Sequence, residues 1–202
     1  MGYSKKIDIK GENAKKVSAI VEKYCGAITS TMGPGGNVVL IQSAQGAIAS
    51  KDGLTVARHL APRDTFERLI TQFVVDAANR TVNEAGDGTT TTACFIAEMY
   101  GMWVDAHDSK TADLNEFLAG MDAAVKDTLD YLGENAKSLL KQNGSIDLEA
   151  LRHVAMIASN GNELVSNMVA NLIYEVGPKG RLLMKSNLGN YTYTEKVSGY
   201  SF

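Results

Sequence analysis

The spacing of apolar residues along the chain predicts a mainly helical protein. In several segments apolar side chains recur every three or four residues, as they do along one face of an amphipathic helix. The segment 93–106 is apolar on more than one face, which favours a position at the centre of a helical bundle. In all, we expect helices over residues 13–30, 65–83, 93–106, 111–140, 147–158 and 163–176.

Short strands are predicted where brief apolar runs or alternating patterns occur. Residues 38–41 and 47–49 are apolar runs on either side of a polar stretch, a pattern typical of a β-hairpin. The expected fold class is therefore mainly α (multihelical) with small β-hairpins up to about residue 140, followed by a segment of mixed α and β structure. Strand-like patterns also occur at 6–10, 181–185 and 191–197, and the last two are candidates to pair with each other.

A glycine-rich loop before the helix at 93–106 has residues suited to binding a phosphate group. Its sequence, EAGDGTTTT, occupies residues 84–92. The glycines beside Asp87 let the backbone approach a bulky anion, and the free amide groups at a helix start favour phosphate oxygens. Asp87 would suit Mg²⁺, which bridges carboxylate and phosphate oxygens. The motif alone leaves a second interpretation open, because Gly-Asp-Gly is common in turns and threonine is a common helix cap.

Two further glycine-rich loops also lie at the ends of predicted elements. Residues 33–36 follow the first helix, and residues 50–53 follow the hairpin. In the loop at 50–53, Asp52 lies beside a glycine, as Asp87 does in the loop at 84–92. By itself this pattern is typical of a turn.

Composition and charge narrow the possible functions. The chain has 202 residues, of which 45% are hydrophobic and 21% charged, which indicates one or two globular domains. A net charge of −3 and a pI near 5.6 give no reason to expect a nucleic-acid partner. No apolar run reaches the roughly 18 residues of a membrane span, so no membrane association is expected. We expect a soluble cytoplasmic protein in which Cys25 and Cys94 are free thiols.

Four segments in a fixed order resemble the amino-terminal portion of a group I chaperonin of the GroEL type. They are residues 31–34 (TMGP), 37–40 (NVVL), 51–58 (KDGLTVAR) and 85–91 (AGDGTTT). Several ordered loops at family spacing are far more specific than any one of them alone. The similarity continues more weakly to about residue 199, so it covers nearly the whole chain.

This resemblance implies an incomplete chaperonin fold. Residues 1–140 would form the amino-terminal half of an equatorial nucleotide-binding domain, residues 141–198 the first segment of an intermediate hinge domain, and residues 199–202 the start of an apical domain. Chaperonins of this family are double-ring ATPases that enclose and fold non-native polypeptides. The implied cofactors are ATP and Mg²⁺, with K⁺ as a further candidate. The implied partners are identical subunits in a homo-oligomeric ring and non-native polypeptide clients, with a co-chaperonin as a further candidate.

The resemblance also assigns roles to individual residues. Asp52 would be catalytic, helping to orient the attacking water or a nearby cation. Asp87 would hold Mg²⁺. The nucleotide would be bound by Thr31, Met32, Gly33, Pro34, Lys51, Gly53, Asp87, Gly88, Thr89, Thr90 and Thr91.

Departures from the family pattern lead to different expectations for the chain alone and for a complete protein. The loop at 33–37 is one residue shorter than in the family and lacks its basic residues. The carboxylate that activates water in the family comes from a returning segment, and no residue here stands for it. The 202-residue chain alone is therefore expected to bind ATP poorly and to hydrolyse it worse. The alternative hypotheses are a truncated, non-catalytic chaperonin-like protein that binds nucleotide or chaperonin subunits, and an unrelated Mg²⁺-dependent phosphotransferase.

Overall fold

The computed structural model describes residues 13–43, 46–185, 189, 191–197 and 199. The chain divides into two compact units, Met1–Lys126 and Asp127–Phe202. The elements in chain order are α1 (Asn13–Thr29), β1 (Val39–Ser43), β2 (Gly46–Ser50), α2 (Gly53–Arg58), α3 (Thr65–Ala85), α4 (Thr89–Asp108), α5 (Leu114–Asn135), α6 (Leu148–Ala158) and α7 (Glu163–Val176). No helix in this described part is long and apolar enough to span a lipid bilayer.

The core of the first unit lies among α1, α2, α3 and α4. Its fully enclosed side chains include Cys25 and Ile28 of α1, Val74 of α3 and Ala93 of α4. Helix α4 packs against each of the other three helices, as its broad apolar pattern predicts. Burial of these side chains is the main stabilising term, at about 25 cal/mol per Å² of apolar surface.

Polar contacts add to the packing of α1 against its neighbours. The hydroxyl of Tyr24 donates a 2.6 Å hydrogen bond to Glu67 Oε2 in α3, and Lys23 Nζ lies 3.3 Å from the same oxygen. Lys15 Nζ lies 2.7 Å from Asp108 Oδ2 at the end of α4. Because these ion pairs are largely exposed, they contribute little to the free energy of folding.

The predicted hairpin is confirmed. Strands β1 and β2 are antiparallel, with Val39 opposite Ser50 and Ile41 opposite Ile48. Ile41 is buried in the core, whereas the neighbouring Leu40 is exposed, as alternation along a strand requires. Residues 44 and 45 of the predicted turn lie outside the described residues, as does the predicted strand at 6–10.

Helix α5 is shorter than the predicted 111–140. It ends at Asn135, and Leu140 instead pairs with Ile146 in an isolated antiparallel bridge. Gly144 has φ +80°, a left-handed conformation that a glycine adopts readily, and it allows the chain to turn between the two bridged residues. No described residue of α5 is buried, so its apolar stripe remains on the surface.

Helices α6 and α7 form the core of the second unit. They pack against each other around Leu151, Ala155 and Ala170. Asp147 caps α6 as predicted, because its Oδ1 atom accepts hydrogen bonds from two backbone amides at the start of the helix. The predicted helix at 163–176 is confirmed at both ends.

Two strand predictions in the second unit are wrong for the residues that the structure describes. Residues 181–185 and 192–197 have no regular secondary structure, and residue 191 lies in a bend. A two-stranded ribbon is marginally stable unless one face is covered. Here Leu183 and Met184 are each 78% exposed and Val197 is 81% exposed, so neither segment has a covered apolar face.

Candidate functional site

The loop after α1 folds back onto the end of that helix. Thr31 is buried, and its hydroxyl donates a 2.7 Å hydrogen bond to the carbonyl of Ile28. Gly33 has φ +74°, which favours glycine, and any side chain at position 36 would collide with the carbonyl of Thr31. Met32, Gly33, Pro34 and Gly35 are exposed.

The loop after β2 is the start of a helix that the sequence did not predict. Asp52 caps α2, and its Oδ2 atom accepts hydrogen bonds from the amide of Thr55 at 2.9 Å and from its hydroxyl at 2.6 Å. The Oδ1 atom accepts a longer, 3.4 Å bond from the amide of Leu54. Lys51 precedes the cap and is exposed. The pattern of aspartate followed three residues later by a hydroxyl was the available signal for this cap.

The environment of Asp52 favours its ionised form. Partial burial is the largest influence on its pKa and acts to raise it. Hydrogen bonds from Thr55 and Leu54, together with the positive charge of Arg58, act in the opposite direction and outweigh burial. The pKa of Asp52 therefore lies below its ordinary value of 3.8, and the carboxylate is charged at neutral pH.

The third loop joins α3 to α4 through two glycines with left-handed backbone. Gly86 has φ +83° and Gly88 has φ +106°, conformations that a β-carbon would strain. The exposed Asp87 lies between them, and its Oδ1 atom accepts a 2.7 Å bond from the amide of Gly88. Among the residues that the structure describes, no side chain caps the start of α4. Thr89 is buried and Thr91 is exposed.

A threonine near the end of α3 also contacts this loop, and the sequence analysis missed it. The hydroxyl of Thr92 donates a 2.9 Å hydrogen bond to the hydroxyl oxygen of Thr81. A β-carbon placed on Gly88 would lie 3.0 Å from the Thr81 methyl group. Thr81 lies in the interior of a helix with no motif around it, so only the packing of α3 against α4 reveals this contact.

The starts of α2 and α4 are in contact beside Ile28, near the end of α1. Gly53 at the start of α2 is buried, and a β-carbon there would collide with Thr90 Oγ1 and lie 3.3 Å from Ile28 Cγ2. Thr31 is bonded to the carbonyl of the same Ile28. The structure therefore brings Gly53 and Thr90 together beside Ile28, although they are far apart in sequence, and Thr31 lies one turn beyond Ile28 at the end of α1. The roles of these and the other assigned residues in binding nucleotide stay predictions.

The residues present fit an anionic group with a bound magnesium ion. The start of α4 has backbone amides without a side-chain cap, and glycines beside it leave room for a close approach. Among the described residues no three His, Cys, Asp or Glu side chains converge to hold a metal ion. Mg²⁺ in proteins is usually bound by one or two carboxylates together with phosphate oxygens. Asp87, an exposed carboxylate beside the start of α4, would take that role.

Comparison with protein families gives a match over most of the chain. Residues 26–201 match the model of the TCP-1/cpn60 chaperonin family. All three loops described above lie inside the matched segment.

Solved structures give a similar result. The chaperonin gp146 from the bacteriophage EL 2 (Pseudomonas aeruginosa), crystallised in the presence of ATP-BeFx, is similar in crystal form II with a TM-score of 0.69 and 25% identity. In crystal form I the values are 0.68 and 26%. A group III chaperonin in the open state has a TM-score of 0.67 at 24% identity, which shows similarity of fold. The two gp146 matches cover 84% (crystal form II) and 83% (crystal form I) of this chain, and each corresponds to 29% of the gp146 chain. The group III match covers 84% of this chain and 33% of the matched chain.

Proposed function

Because this chain belongs to the TCP-1/cpn60 chaperonin family, we propose that it is the nucleotide-binding portion of an ATP-dependent chaperonin subunit. The complete subunit hydrolyses ATP, and the hydrolysis drives a conformational change in a ring that encloses and folds non-native polypeptides. Since the chain spans about a third or less of the chaperonin structures it matches, this activity is proposed for the complete protein.

The contact between the starts of α2 and α4 beside Ile28, near the end of α1, is the observation that carries this proposal. The loops come from the end of α1, the start of α2 and the start of α4, and each has glycine where a side chain would collide or strain the backbone. Glycines that clear space beside uncapped helix amides are suited to binding phosphate groups. Close packing of Gly53 on Thr90 supports a single site built from separate parts of the sequence.

The chemistry of the site residues agrees with phosphoryl transfer to water. That reaction depends mainly on positioning and on neutralising charge. Asp87 would hold Mg²⁺, and the ionised Asp52 would help to orient water or a cation. Phosphate oxygens would lie against Gly88, whose own amide donates to Asp87, and would be bound by the amides and hydroxyls of residues 89–91. Lys51 and the residues 31–34 would complete the nucleotide site.

The remaining parts of the proposal concern assembly and location. The subunits form a homo-oligomeric ring in the cytoplasm and act on non-native polypeptides as clients. K⁺ as a second cation and a co-chaperonin as a partner belong to the same proposal.

The test uses the complete protein that carries this chain. Its native mass and its effect on the refolding of a chemically unfolded enzyme should be measured with and without ATP and Mg²⁺. We expect a large assembly of identical subunits and a refolding yield that rises only when both ATP and Mg²⁺ are present. A protein that stays a monomer or small oligomer and leaves the yield unchanged would contradict the proposal.

A further inference from the structure

Thr81 lies outside the three loops but contacts the one that joins α3 to α4. It is in the second-last turn of α3, eleven residues before its partner Thr92. Resting on the proposed function, we propose that Thr81 is a positioning residue. It holds the loop between α3 and α4 (residues 86–88) and the start of α4 in the arrangement that binds nucleotide phosphates.

The hydroxyl of Thr81 has a fixed direction. It donates a 3.2 Å hydrogen bond to the carbonyl of Ala77 and accepts a 2.9 Å bond from the hydroxyl of Thr92. Since the Thr81 proton is used by the α3 backbone, its oxygen is the acceptor for Thr92. This chain of two bonds ties the first turn of α4 to the backbone of α3.

The methyl group of Thr81 has a separate contact. A β-carbon added to Gly88 would lie only 3.0 Å from this methyl group. The methyl group therefore fills the space beside Gly88 on the side where a side chain would project. Gly88 has φ +106°, and glycine is the residue with the most backbone freedom to lose. A contact that restricts this glycine therefore reduces the number of conformations that the loop can adopt.

The loop's other hydrogen bonds lie within the loop or within one helix. The amide of Gly86 donates to Val82 of α3, the amide of Gly88 donates to Asp87, and the amide of Thr92 donates to the carbonyl of Gly88. These bonds fix local turns but do not set the position of α4 relative to α3. The bond between Thr81 and Thr92 joins the two helices, which is why we assign positioning to Thr81 and not to the loop alone.

The effect on binding follows from preorganisation. If the binding arrangement is only partly populated, the measured dissociation constant rises in proportion. The net contribution of a neutral hydrogen bond corresponds to roughly a fivefold change in an equilibrium constant. Thr81→Val keeps both branches of the side chain but removes the hydrogen bond, and it should weaken Mg²⁺-ATP binding by roughly fivefold. Thr81→Ser keeps the bond and removes the methyl group, so it separates the two contacts.

Thr71 provides a matched control in the same helix. It is 2% exposed, and its hydroxyl has no hydrogen-bond partner among the described residues. Thr71→Val is the same substitution at a buried position of α3, away from the loop. It should leave the dissociation constant for Mg²⁺-ATP unchanged.

The experiment measures Mg²⁺-ATP binding by calorimetry and thermal unfolding for the complete protein and for each variant. Thr92→Val removes the same bond from the other side, so it should weaken binding as Thr81→Val does, and the double variant should be no weaker than either single one. If Thr81→Val fails to fold, Thr92→Val tests the bond alone. Binding that is unchanged in every folded variant lacking this bond, whatever the melting temperature, would overturn the inference. An unmodified protein that binds no ATP would instead overturn the proposed function on which the inference rests.

Discussion

Gly53→Ala tests whether the starts of α2 and α4 are in contact as the structure has them. Gly53 is buried, and a β-carbon there would collide with Thr90 Oγ1. Its φ lies outside the left-handed region, so alanine meets no backbone strain and the effect comes from packing. Thr90→Ala removes the atom that would collide and leaves only its β-carbon, which lies at an ordinary contact distance of 3.4 Å.

The expected magnitudes follow from these contacts. Overpacking a buried site costs about 1–3 kcal/mol, while alanine gains up to about 1 kcal/mol over glycine in a helix. We therefore expect Gly53→Ala to destabilise the protein by about 1 kcal/mol. In the Thr90→Ala background the collision with Oγ1 is gone and only the close 3.3 Å approach to Ile28 Cγ2 remains, so the same change should be close to neutral. The coupling free energy between the two substitutions is then about 1 kcal/mol, and the double variant is more stable than the sum of the two single changes predicts.

The assay is urea unfolding followed by the fluorescence of Trp103. This is the only tryptophan in the sequence, and it lies in α4 with its ring 5.4 Å from that of Phe117. Gly101→Ala is the control, since a β-carbon there meets nothing within 4 Å. It should stabilise the protein by about 0.5–1 kcal/mol in both backgrounds. Additivity of Gly53→Ala and Thr90→Ala within about 0.5 kcal/mol would refute the contact between the loops.

Three further predictions concern single side chains. Asp52→Asn should keep the helix cap and lower the free energy of unfolding only slightly, whereas Asp52→Ala should lower it by about 1 kcal/mol. Both variants should slow ATP hydrolysis, because both remove the charge. Folding lowers the pKa of Asp52, so the ionised carboxylate makes the protein more stable than the Asp52→Asn variant above pH 3.8. This difference in the free energy of unfolding should disappear as the pH falls through the folded-state pKa. Urea titrations of both proteins at several pH values would detect the change. Thr71→Val should raise the free energy of unfolding by about 1 kcal/mol, because it removes a buried hydroxyl that has no hydrogen-bond partner in the described part of the chain. A loss of stability in urea would contradict this. Burial, and to a lesser extent the nearby Cys94, raises the pKa of the Cys25 thiol to about 11. Cys25 should therefore react with a disulfide reagent at pH 8 only after unfolding. Rapid labelling of Cys25 in the folded protein would show that it is not enclosed in the core.

The sequence was sufficient to predict the elements whose apolar pattern is long and regular. The helix at 163–176 follows from its periodicity, and the hairpin follows from the two apolar runs at 38–41 and 47–49 around a polar stretch. The resemblance to chaperonins, based on four ordered motif segments, is confirmed by the family match. The domain boundaries expected at 140 and 198 stay predictions.

The elements that were missed depend on contacts that no local pattern contains. Helix α2 has only six residues, too few for a periodic signal, and it forms because Asp52 caps it and Val56 is buried beneath it. Helix α5 stops early because Leu140 pairs with Ile146 across a turn. The segment 181–185 is apolar like a strand, but in the described residues nothing pairs with it.

In the candidate site, too, some features could be predicted from local sequence patterns and others could not. The glycines, Asp87 and the threonines at the start of α4 are identifiable from the sequence as a candidate phosphate-binding motif, and their role stays a prediction. Contact between Gly53 and Thr90, and the bond from Thr92 to Thr81, required the packing of separate helices. Periodicity places a residue on one face of a helix but does not give its register against the next helix, so these contacts could not be predicted.

Equilibrium binding of ATP to the complete protein, with and without Mg²⁺, tests the central claim most directly. Asp87→Ala is the informative variant, and Asp122→Ala, at an exposed position of α5, is its control. We predict Mg²⁺-dependent binding in the unmodified protein and in Asp122→Ala, and at least a roughly tenfold weaker, Mg²⁺-independent interaction in Asp87→Ala. An unmodified protein that binds no ATP, or an Asp87→Ala variant that binds it with unchanged affinity and Mg²⁺ dependence, would contradict the account.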